Sequence, residues 1–125
     1  MKYDGFIEQV QKRARLSSQS EAQRATQAAL ETLAAYLSPK ERHDAASQLP
    51  KEIKTYLQRP FVGPGKQAPP SPEGNVSLDD FIQRVSIREG VPRASALEHA
   101  RAVMGVLRDA LSEGEFEDIR AELPN

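Results

Sequence analysis

The sequence predicts an all-α domain of six to seven helices, built from two related three-helix repeats. Three observations carry that reading. Apolar residues recur at intervals of three and four along most of the chain, as one face of a helix requires. No segment shows the alternating β-branched pattern of a strand. Two stretches are versions of one another: Tyr3-Asp4-Gly5-Phe6-Ile7-Glu8-Gln9-Val10 recurs as Leu78-Asp79-Asp80-Phe81-Ile82-Gln83-Arg84-Val85, offset by 75 residues. Arg24 to Ser38 lines up with Glu98 to Ser112 at an offset of 74, which continues through Glu41 and Glu115, Asp44 and Asp118, and Leu49-Pro50 and Leu123-Pro124. One residue is therefore gained or lost between Leu16 and Ala22. A match of this length is architecture. It divides a single domain, 1–125, into repeat one (1–59), a linker (60–76) and repeat two (77–125).

The first helix of each repeat places Phe6, Ile7, Val10 and Ala14, or Phe81, Ile82, Val85 and Ile87, on one face. Asp4 is the expected cap of one, and Ser77 with Asp80 approximates a capping box for the other, which Gly90 is placed to end. The second helix is long, about Ser18 to Leu37 and Pro92 to Leu111, with Pro92 suited to the first helical position. Its expected buried face is Ala22, Ala25, Ala29, Leu30, Leu33 and Leu37, answered by Ala96, Ala100, Val103, Met104, Leu107 and Leu111. Polar Glu21, Arg24, Gln27 and Glu31 lie opposite. Leu30, Leu33, Val103, Met104 and Leu107 are expected where the two repeats meet. Ser38-Pro39-Lys40-Glu41 and Ser112-Glu113-Gly114-Glu115 each supply a cap serine and an acid three residues on, so a third helix starts at both places. It buries Ala45 and Leu49 in one copy and Phe116, Ile119 and Leu123 in the other. Pro50 opens a fourth short helix with Ile53, Tyr56 and Leu57.

Composition narrows the function classes. At 125 residues the chain can bury roughly two thirds of its unfolded surface in one core. There is no Cys, which removes disulfides, thiolate metal sites and thiol chemistry and suits a reducing cytoplasm. No run of about 18 apolar residues exists, so a soluble, unexported protein with no membrane partner is expected. The net charge of −1 divides into +3 over residues 1–59 and −4 over 60–125, an asymmetry that could help the halves, or two copies, dock. Residues 60–75 hold five of the nine prolines and three of the seven glycines, and cannot be regular structure.

The ordered set Tyr-Asp-x-Phe-Ile, Arg24-Ala25-Thr26-x-Ala28-x-Leu30-x-Thr32-Leu33, Gln48-Leu49-Pro50, Phe81-Ile82-x-Arg84-Val85 and His99-Ala100-Arg101-Ala102-Val103 resembles a bacterial family called domain of unknown function 2267. The likeness covers nearly the whole chain and lies in the order and duplication of the pieces. It implies a small, all-helical, internally duplicated bacterial protein and supplies no catalytic or ligand-binding residues. Members commonly continue past the second Leu-Pro into another short helix, which this sequence lacks.

No pattern of residues specifies catalysis. His43 and His99, the two histidines, have Lys40 and Ala96 three residues earlier, so the Glu-x-x-His signature of di-iron bundles is absent. Gly63-Pro64-Gly65-Lys66 lacks the first glycine and the Ser or Thr of a phosphate loop, and no strand precedes it. Pro69-Pro70-Ser71-Pro72 fits a spacer better than a recognition motif. Arg93, Arg101 and Arg108 share a spacing, yet Glu98 and Asp109 interrupt them in an acidic half, so nucleic acid is not an expected partner. The acidic run Glu113, Glu115, Glu117, Asp118 and Glu122 serves a helix N-terminus first and a cation or basic partner second. The expectation is a non-enzymatic protein-interaction or regulatory module without cofactor or metal, able to form a homo-oligomer. The alternative is a small-molecule or metal-binding protein with a pocket between the repeats. The residues offered for interaction or pocket are His99, Arg101, Arg24 and His43.

Overall fold

The computed structural model of the chain describes residues 2–58 and 78–122. Among these residues there are seven helices and no strand: α1 (Tyr3–Ala14), α2 (Gln19–Ala34), α3 (Pro39–Ala46), α4 (Lys51–Gln58), α5 (Leu78–Glu89), α6 (Arg93–Ala110) and α7 (Glu113–Glu122). The all-α expectation holds. Residues 60–76, with Ser77 and Leu123, lie outside the described residues, and so do the spacer and phosphate-loop readings.

Serines start the helices where their oxygens accept otherwise unpaired N–H groups. Ser18, Ser38 and Ser112 accept from the N–H groups of Glu21, Glu41 and Glu115, each at 3.2 Å. Asp4 does not cap α1: Lys2 holds the N-cap position without a side-chain bond, and Asp4 lies in the first turn, where its charge suits the positive helix end. Pro92 is the N-cap of α6, one residue before the helix proper. Helix α2 stops at Ala34, not Leu37, because the chain must become extended at Ser38 (ψ 157°) ahead of Pro39. Tyr36 and Leu37 stay buried in a tighter turn bonded to Leu33 and Ala34.

The long helices α2 and α6 pack on one another, and α1 and α5 each lie against both of them. Alanines at Ala22, Ala25, Ala29, Ala96 and Ala100, all buried, allow this close approach. Leu30, Leu33, Val103 and Leu107 are fully buried as expected, joined by Val106. Three burial expectations fail. Met104 and Phe116 are only half-buried, and Ile87 is 69% exposed, because α5 buries the face carrying Phe81, Ile82, Val85 and Glu89 instead.

Polar contacts tie the elements together. Arg13 on α1 crosses Gly105 to reach Asp109 on α6, while Arg88 on α5 pairs with Glu31 on α2. Tyr36 stacks at 5.4 Å on Phe81 and donates to Asp80, and burial first, then Asp80, push its hydroxyl up to about 12. At one end, α3 packs on α7, and there Gln48 Oε1 accepts the Ser112 N–H at 2.8 Å. Glu115 thus has no capping duty toward Ser112, and its carboxyl turns to Glu41 on α3. Burial and then repulsion by Glu41 and Asp44 push Glu115 up to about 7.

Candidate functional site

Helix α4 marks where the two halves part company. It packs on α2 and α3, touches α1, and buries Ile53 and Leu57 completely. Its Tyr56 stands beside Tyr3, and on the two helices it packs against, Phe6 of α1 and Leu30 of α2 retain no exposure. The corresponding surface on α5 and α6 is an open trough. Its floor is Phe81, Ile82, Ala100 and Met104, with Leu97 and Phe116 of α7 as walls, and it encloses about 350 Å³. Beyond Leu78, Ile82 and Leu97 it runs on toward Asp79 and Arg93. Leu78, at the position corresponding to Tyr3, is 46% exposed.

The trough is apolar with a cationic edge. Arg101 and Arg108 line it from positions two turns apart on α6, both are exposed, and neither forms an ion pair with a described residue. Their counterparts at the offset of 74 are Gln27 and Ala34, which carry no charge. An apolar floor flanked by guanidinium groups can hold an amphipathic helix, whose aliphatic residues fill the floor and whose carboxylates meet the edge.

The other sequence candidates go elsewhere. His99 faces away from the trough, with Nδ1 2.5 Å from Oε2 of Glu89, a carboxyl only 4% exposed at the end of α5. Burial raises the pKa of Glu89, while the hydrogen bond and charge of His99 and the charge of Arg24 oppose that rise. His99 hydrogen-bonds this buried acid across the α5–α6 turn, and the charge of Arg24 reaches it from α2. The residues that line the trough come from α5, α6 and α7. His43 is exposed in the last turn of α3. Of the four candidates, only Arg101 belongs to the trough. Sequence reading missed Leu78, Leu97, Met104 and Phe116 as a surface because each fits an ordinary core stripe; the signal available was that α4 has no counterpart among the described residues of the second half.

The profile of a family described as an uncharacterized conserved protein, DUF2267, matches residues 3–125. The chain belongs to that family. No curated protein matches it. The DUF2267 assignment agrees with an all-helical chain, and among the described residues no helix is long and apolar enough to cross a membrane. It assigns no activity.

Proposed function

We propose that this DUF2267 protein is a non-enzymatic binding module of the bacterial cytoplasm, a duplicated helical domain that takes an acidic amphipathic helix of a protein partner into the α5–α6–α7 trough. One observation carries the reading: the chain itself fills the matching seat on α1 and α2 with α4, a short helix whose Ile53 and Leu57 are fully buried. The repeated sequence, the two first helices each laid across both long helices, and the charge change from Gln27 and Ala34 to Arg101 and Arg108 support it. The duplication is read as 1–59 and 77–125, joined through 60–76.

The chain lacks cysteine, so Leu97→Cys creates a single thiol in the trough wall. Labelled with benzophenone maleimide and irradiated in native lysate, it should join to a segment with apolar residues at i, i+3 and i+4 flanked by Asp or Glu. High salt and the Arg101→Glu, Arg108→Glu pair should both abolish the adduct. Adducts that survive charge reversal, or that lack such a segment, overturn the reading. An adduct to the chain itself would overturn the separate partner and assign the trough to a second copy.

A further inference from the structure

At the α3–α7 contact, far along the sequence from one another, carboxyl oxygens of Glu41, Glu115 and Asp118 gather within 4.8 Å. Glu41 and Glu115 are each only 9% exposed, whereas Asp118 is open to solvent. Crowding of acids alone would be a surface accident, but one atom here is not at the surface. Oε2 of Glu115 is shut off from solvent and has no hydrogen-bond partner among the described residues. A carboxylate oxygen left so is costly unless a further group completes it. Lys40, on the first turn of α3, is paired with Asp44 at 3.2 Å, and its side chain is 81% exposed.

We propose that Glu41, Glu115 and Asp118 form a binding site for a hard divalent cation, Ca²⁺ by size, which clamps α3 to α7. Ca²⁺ holds oxygens at about 2.3–2.6 Å, so ligands across one ion stand up to about 5 Å apart. The three carboxylates meet that span as they stand. Mg²⁺, at about 2.0–2.1 Å, demands near-ideal octahedral geometry and gives up its waters reluctantly, so it is less suited to carboxylates fixed on two separate helices. Oxygen-only ligands without histidine or thiolate favour Ca²⁺ over zinc or copper. Glu115 Oε2 supplies the inner ligand, Glu41 the ligand from the opposite helix, and exposed Asp118 the entry side. Water fills the remaining positions of a six- to eight-coordinate ion. Asp44 adds negative charge at the rim without being required as a ligand. The site is separate from the trough, so it stands or falls independently of the proposed partner.

The test is calorimetric titration and thermal unfolding of the full chain at pH 7.5 with CaCl2, against MgCl2 and NaCl at matched ionic strength. Saturable Ca²⁺ binding is expected with a midpoint of about 0.1–1 mM, the range of weak oxygen sites, together with a rise in Tm that MgCl2 reproduces only weakly. Glu115→Gln keeps the shape, removes a repelled charge and should fold, yet it should lose the saturable response. Asp118→Asn should weaken binding about tenfold. The absence of a saturable Ca²⁺ response in the unmutated chain would overturn the site, as would an undiminished response in Glu115→Gln. The first outcome would leave Glu41 and Glu115 as a proton-sharing pair.

Discussion

The seat on α1 and α2 and the seat on α5 and α6 are built on the same framework and finished differently. On the two helices that α4 packs against, Phe6 and Leu30 have no exposure, and Tyr3 meets Tyr56. On the other side, Phe81 keeps a little exposure, Leu78 a great deal, and Met104 replaces the leucine. Methionine is the more adaptable residue where the occupant is not part of the fold. The polar changes run the same way, since Arg101 and Arg108 on the open side correspond to Gln27 and Ala34. Covering a helical seat with the chain's own helix makes it core; leaving it open and rimming it with charge makes it a surface for something else.

The sharpest way to break this comparison is to truncate one residue in each seat. Leu57→Ala removes a fully buried side chain and should cost about 2–5 kcal/mol, as should Leu33→Ala or Leu107→Ala in the shared centre. Met104→Ala should cost less than about 1.5 kcal/mol, because the trough already admits solvent. Urea unfolding of the four variants measures this. If Met104→Ala proves as damaging as Leu57→Ala, the trough is closed in solution and the comparison fails.

A second asymmetry is electrostatic. The second half buries Glu89 against His99, where the offsets of 75 and 74 place Ala14 and Ala25 in the first half. Removing His99 leaves an acid 4% exposed without its partner, so His99→Ala should cost about 1–3 kcal/mol at pH 8. The penalty should shrink on acidification. Burial holds the folded pKa of Glu89 above its ordinary 4.5, and losing the histidine lifts it further. A carboxyl with a raised folded pKa contributes its full stability below the unfolded value and loses it as pH rises through the folded one. The variant should therefore lie closer to the parent at pH 5 than at pH 8 in paired urea titrations. A penalty independent of pH would mean that His99 acts only by packing.

Local chemistry made the helices legible and long-range geometry hid the sites. Ser18, Ser38, Ser112 and Pro39 announce helix starts within three or four residues, and the Leu30, Leu33, Val103, Leu107 stripe announces the centre. Met104 shares that stripe, and only the placement of α5 and α7 decides that it faces a trough. Ile87 reads as apolar in sequence but falls on the outer side of α5. Glu41 and Glu115 were each legible as third residues of a capping motif. That they meet depends on how α3 and α7 pack, which no local rule encodes. The charge of Arg24 likewise reaches Glu89 only because α2 passes the α5–α6 turn.

The smallest expected effect concerns two turns that differ by one side chain. Helix α1 ends in Arg15 at φ 57°, with the Leu16 N–H bonded back to Gln11 O at 2.9 Å. Helix α5 ends in Gly90 at φ 77°, with the Val91 N–H bonded to Ser86 O at 3.2 Å. Both are left-handed helix caps with the same bonding pattern. In such a conformation Cβ crowds the following carbonyl at a cost of about 1–2 kcal/mol, which glycine avoids at some loss of unfolded-state restraint. A Cβ on Gly90 would meet nothing within 4 Å, so any cost there is conformational and not steric contact with a neighbour. Gly90→Ala should lower stability by about 1 kcal/mol, and Arg15→Gly should raise it by about 0.5–1 kcal/mol. Urea midpoints moving in opposite directions would establish that α1 keeps a strained cap of a kind that α5 avoids. Midpoints moving together would show that the side chain of Arg15, not its backbone, sets the energy of that turn.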